Sequence, residues 1–152
     1  MNIFVKLFFF LILNLTINTK ILIANELDNL GACAGVVIGN ASVDFSLGNQ
    51  KGFDDGIKLG ITAYVSQVCA NKYSKNDIAI ADKILASNTD KIINAANTQT
   101  FDETIFEEVI KCYRMLSILV IKNADIIKIN SKKINNIVNQ RNKLLRRMLS
   151  AG

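Results

Sequence analysis

The chain has 152 residues, half of them apolar, and contains no Pro, Trp or His. That length and apolar content exclude a disordered chain and leave room for one packed domain rather than two. The formal charge of +5 is unevenly laid. Residues 1–24 carry +2, residues 25–121 carry eight basic against twelve acidic side chains for −4, and residues 122–152 carry eight basic side chains against Asp125 alone for +7.

Residues 1–24 read as an export signal: a single Lys6, an apolar run from Leu7 to Ile17, a more polar stretch, and Ala24 at the cleavage position. The run is shorter than the roughly 20 apolar residues that a membrane span needs. A bacterial periplasmic or secreted protein is therefore expected, with a mature domain over residues 25–152. The alternatives are an uncleaved anchor or a first helix of the domain itself. Leu30-Gly31-Ala32-Cys33 resembles a lipoprotein-processing motif ending in an acylated Cys33. Against that match, Glu26 and Asp28 stand where an apolar run should continue.

The mature chain shows a 3.6-residue apolar period throughout and no strand pattern, which predicts an all-α, up-and-down bundle of four to five amphipathic helices. The first helix is expected over 26–46, with Leu27, Leu30, Ala34, Val37, Ile38, Ala41 and Phe45 on one stripe. Gly48 to Gly52 reads as a turn. A second helix over 53–73 gathers Phe53, Ile57, Ile61, Tyr64 and Val65. Ser74 is placed to cap a third helix over 77–97. Thr100 followed by Glu103 reads as a capping box for a fourth helix, striped with Phe101, Ile105, Phe106, Val109, Ile110, Cys112, Tyr113 and Leu116. Ser131 is placed to cap a fifth, over about 131–149, with Ile134, Ile137, Val138, Leu144, Leu145 and Met148 on its apolar face.

Gly31, Gly35 and Gly39 recur at every fourth position of the first helix, and Gly56 and Gly60 do so in the second. Each costs about 1 kcal/mol against Ala in a helix interior. The spacing points either to close backbone approach between helices or to helix interruptions. Asn88 and Arg141 fall in otherwise apolar stripes. The simplest expectation is a local irregularity at Asn88 and an Arg141 that reaches out to water.

Three cysteines remain in the mature chain. In an oxidising compartment one pair should form a disulfide. A hairpin turning near residue 50 brings Cys33 and Cys69 to similar heights, so these two are the expected pair, with Cys112 a buried free thiol inside its stripe. A Cys69–Cys112 pair stays open. The glycines and the cysteines lie on opposite flanks of both helices, so one contact between the first two helices cannot use both.

No catalytic, cofactor-binding or metal-binding residues are assigned. There is no C-x-x-C spacing, no clustered carboxylate pattern and no His to ligate a metal or activate a thiol. The chain is expected not to be an enzyme and to need no cofactor. The feature singled out is the basic C-terminal helix. Lys132, Lys133, Lys143, Arg146 and Arg147 fan across the side opposite its apolar stripe, where they could meet an anionic membrane surface or an acidic partner. The leading expectation is an exported interaction or binding module with a protein partner. The alternative is a membrane-associated accessory factor held by an uncleaved N-terminus, an acylated Cys33 or the basic helix. Export makes nucleic acid an unsuitable partner.

Overall fold

A computed structural model of the protein describes residues 26–150; the expected export signal over 1–24 lies outside them. Among the described residues the chain forms six helices and no strand. They are α1 over 26–46, α2 Gln50–Ala70, α3 Lys75–Asn97, α4 Glu103–Lys122, α5 Ala124–Ile129 and α6 Ser131–Ser150. The five long helices alternate in direction, as the expected up-and-down bundle requires.

α1 is the central helix. Residues 34–39 are buried on every side, and glycines set how closely its neighbours approach. A methyl at Gly31 would stand 2.7 Å from the Ala81 carbonyl oxygen, and one at Gly35 would stand 2.3 Å from that of Leu85. The glycine face of α1 therefore carries α3 backbone to backbone. Thr89 closes the seam by donating its hydroxyl hydrogen bond to the Gly35 and Leu85 carbonyls, at 3.2 and 3.0 Å. α2 uses its own glycines on another face of α1: Gly56 lies against Ala41, and Gly60 against Ala34 and Ile38. The close-approach reading of the glycines holds.

The helix ends follow from local chemistry. α1 stops in a Schellman motif, with Gly48 N–H bonded to Phe45 O and Asn49 N–H to Asp44 O; Gly48 takes φ +80°. α2 begins earlier than expected because the Asn49 side chain accepts from Gly52 N–H. Ser74 and Asp77 form a reciprocal capping box on α3. The expected Thr100–Glu103 box does not form. Thr100 instead closes a second Schellman motif on α3, bonding back to Ala95 O, and Asp102 caps α4 by accepting from Ile105 N–H. Ser131 is the first residue of α6 rather than its cap, since Ile134 N–H already bonds to Asn130 O.

α5 was not expected. The chain breaks at Asn123, whose side chain turns inward and donates to Ser66 Oγ at 3.2 Å and Gln67 Oε1 at 3.1 Å. That buried amide pins the α4–α5 corner to α2 and lets α6 return antiparallel alongside it.

The cysteine pairing differs from the expected one. Cys33 is joined to Cys112, with Cα atoms 4.9 Å apart, and Cys69 is free. The register of α1 on α2 explains the correction. Gly60 lies beside Ala34 and Ile38, so Cys33 is level with about Ile61–Val65, and Cys69 sits more than a turn beyond. Cys33 faces α4, where Cys112 is buried at the contact.

Candidate functional site

An opening with apolar walls lies between α3 and α6. Both helices run alongside α1 in the same direction and leave a groove between them. The resulting groove has a floor of Ile38, Ser42 and Ser46 from α1. Its α3 wall includes Thr89, Ile93 and Ala96, and its α6 wall includes Leu145, Met148 and Leu149. Two hollows of about 560 and 160 Å³ share Met148 at their boundary. Arg141 and Asp90 stand at one end, and Leu47, 78% exposed, stands at the other. The Ser42 hydroxyl on the floor is spent on the Ile38 carbonyl at 3.0 Å. The groove thus offers apolar walls and a charged rim.

Arg141 behaves as the simplest reading expected and Asn88 does not: α3 runs unbroken from Lys75 to Asn97, with no irregularity at Asn88. Asn88 donates to Ile84 O of its own helix at 2.9 Å, and Arg141 is exposed at the groove rim.

Of the five bases expected on the outer face of α6, four are there. Lys132, Lys133, Lys143 and Arg147 are exposed. Arg146 is the exception and corrects that expectation. Its guanidinium lies over the rings of Phe53 and Phe45, 4.7 and 5.6 Å from their centres. It also donates to Asp54 Oδ1 at 2.6 Å, to Asn142 Oδ1 at 2.7 Å and to Gln50. Asn142 donates to the same Asp54 oxygen at 2.7 Å. The hydrogen bond from Asn142, followed by Arg146, holds the Asp54 carboxyl below its ordinary range. Arg146 therefore fastens the end of α6 to the tip of the α1–α2 hairpin and is not free for a partner. Comparison with family models, with curated proteins and with solved structures finds no match to the chain.

Several other polar groups are engaged within the fold. Gln67 extends the Asn123 cluster to Glu26 and Tyr73, at 3.4 and 3.5 Å. Tyr64 donates to Asp82 at 2.8 Å, and burial followed by that carboxylate raises its phenol above the ordinary range. The free Cys69 thiol is half-buried with Lys133 Nζ at 3.9 Å. Among the described residues no three His, Cys, Asp or Glu side chains cluster as metal ligands, and no helix is long and apolar enough to cross a membrane.

Sequence periodicity could not show the groove, which depends on which helices fail to touch. It also placed Phe106 and Ile110 within the core stripe of α4. Both are about half-exposed, because α4 meets its neighbours through the narrower line of Val109, Cys112 and Leu116.

Proposed function

We propose that the protein is an exported, non-catalytic binding module that seats an apolar segment of a partner protein in the groove between α3 and α6. The observation that carries this reading is the open groove itself. Closing α3 onto α6 would bury Met148 and Leu47 and add hydrophobic stabilisation, yet the bundle leaves both exposed. Apolar surface kept open beside a packed core is the usual mark of an interaction site. Export is supported by the pattern of residues 1–24 and by the Cys33–Cys112 pair, which suits an oxidising compartment. The same pair engages the Cys33 sulfur that lipid attachment would need. A non-catalytic role is supported by the spending of the buried hydroxyls and amides on structural bonds.

The test is photo-crosslinking in living cells from a reactive side chain at Ile93 in the groove, compared with one at the exposed Lys58 on α2. A discrete protein adduct is expected from position 93 alone, and Ala96→Trp, which fills the groove, should abolish it. Equal adducts from both positions, no adduct from position 93, or turnover of a substrate by the purified protein would overturn the reading.

A further inference from the structure

We propose that the outer face of α6 docks the protein on an anionic lipid bilayer, with Lys132, Lys133, Lys143 and Arg147 over the headgroups and Leu144 entering the headgroup–acyl boundary. At about 100° per residue these four bases share roughly a third of the helix circumference. All four are exposed, and none lies within ion-pair distance of a carboxylate among the described residues. Leu144, 47% exposed, adjoins that arc on its Arg141 side. A solvated lysine face needs no apolar margin, whereas an interfacial helix needs both parts side by side.

Charge complementarity selects the occupant. Residues 122–152 carry +7 while residues 25–121 carry −4, so the field of an anionic surface turns the α5–α6 side toward itself and the acidic body away. No one cleft gathers the four bases: Lys132 and Lys133 line a wide-open hollow of about 820 Å³ with Ile129 and Asn139, and Lys143 and Arg147 lie outside it, so nothing fixes the geometry of an acidic protein segment across the whole arc. A bilayer needs no such complementarity and accommodates the exposed Leu144. Arg146 takes no part, being turned inward onto Phe53.

The experiment is co-sedimentation of the protein recovered after export with phosphatidylcholine vesicles, alone or with about one third phosphatidylglycerol, at low and high salt. Binding is expected only to the anionic vesicles, with release by salt. Each basic residue near such a surface contributes roughly fivefold in partitioning. Lys132, Lys133, Lys143 and Arg147 changed together to Gln should therefore lower binding by more than about a hundredfold. Because the N-terminus is the same in every variant, the difference belongs to α6, and circular dichroism confirms that the helices are kept. Lys58, Lys72, Lys75 and Lys83 changed together to Gln remove the same charge from exposed positions on α2, α3 and the turn between them. That variant should bind within about threefold of the parent. Leu144→Asn should keep low-salt binding but release at less salt. Equal binding to both vesicle types would overturn the proposal, as would an equal loss in the control variant. So would failure to bind anionic vesicles at low salt while polyglutamate or DNA is bound.

Discussion

The guanidinium of Arg146 lies 4.7 Å from the centre of the Phe53 ring, and Phe53 is itself fully buried. This contact joins the last turns of α6 to the start of α2, with Phe45 completing the seat at a ring separation of 5.1 Å from Phe53. A cation over an aromatic face contributes about 0.5–2 kcal/mol depending on desolvation, and a half-exposed ion pair adds at most about 1 kcal/mol. Arg146→Gln should therefore lower stability by about 1–2 kcal/mol in urea unfolding. Arg146→Lys should recover little of it, because an ammonium cannot stack on the rings while donating to Asp54, Asn142 and Gln50 together.

The same contact sets an acid limit. The Asp54 carboxyl is held below its ordinary value by Asn142 and Arg146. A depressed carboxylate contributes stability that is complete above its unfolded value, near pH 4, and is lost as pH falls through the folded value. Asp54 is half-exposed, so solvent screening keeps the effect under about 1 kcal/mol. Unfolding of the parent and of Asp54→Asn should differ at pH 7 and converge as pH falls below about 4.

Much of this fold could be read from periodicity and little of the site could. The apolar period finds the buried line of a helix but not its width: Phe106 and Ile110 on α4 and Leu144 and Met148 on α6 fall within the expected stripes and are exposed, whereas residues 34–39 of α1 are buried all round. The glycine spacing of α1 announced a close approach, but the partner, α3, depends on tertiary order. Arg146 was assigned to the solvated face because a helical wheel records angle and not reach, and its long stem carries the guanidinium around to Phe53. The pairing of Cys33 hung on the register of α1 against α2, where a shift of one turn, about 5.4 Å, decides which sulfurs can meet. Asn123 looked like any helical Asn until α2 supplied Ser66 and Gln67 to receive it.

Two helix ends with the same motif and different residues give a paired prediction. α1 and α3 both close in Schellman motifs, with Gly48 at φ +80° and Gln99 at φ 58° in the equivalent left-handed position. A side chain there costs roughly 1–2 kcal/mol. Gln99→Gly should raise stability by about 1 kcal/mol, and Gly48→Ala should lower it by a similar amount although nothing stands within 4 Å of the added methyl. Equal and opposite shifts in thermal midpoint are the expected readout.

Gly35 separates packing from propensity. Gly35→Ala gains about 1 kcal/mol of helix propensity, but the methyl would meet the Leu85 carbonyl oxygen at 2.3 Å and the Asn88 side chain at 2.9 Å. Backbone cannot step aside as a rotamer can, so α3 must lift from α1 and lose the Thr89 bond to Gly35 O. The net effect should be a loss of about 2–3 kcal/mol, measured by chemical denaturation. The amides of residues 85–92 should also exchange faster with solvent.

The Cys33–Cys112 bridge closes a long loop, with 79 positions separating the two cysteines. Restricting the unfolded chain over that length corresponds to about 4–5 kcal/mol in the chain-entropy account. Reduction, or Cys33→Ser with Cys112→Ser, should therefore lower stability by about that much. Cys69→Ser should lower it by under about 1 kcal/mol, because the thiol is half-buried at the edge of the core and its polar contact among the described residues is the long one to Lys133. Intact mass after alkylation without reduction distinguishes the pairings. One label on the parent and none on Cys69→Ser is the expected result. A label that persists on Cys69→Ser would place Cys69 in the bridge and require α2 to sit a turn lower against α1 than Gly60, Ala34 and Ile38 place it.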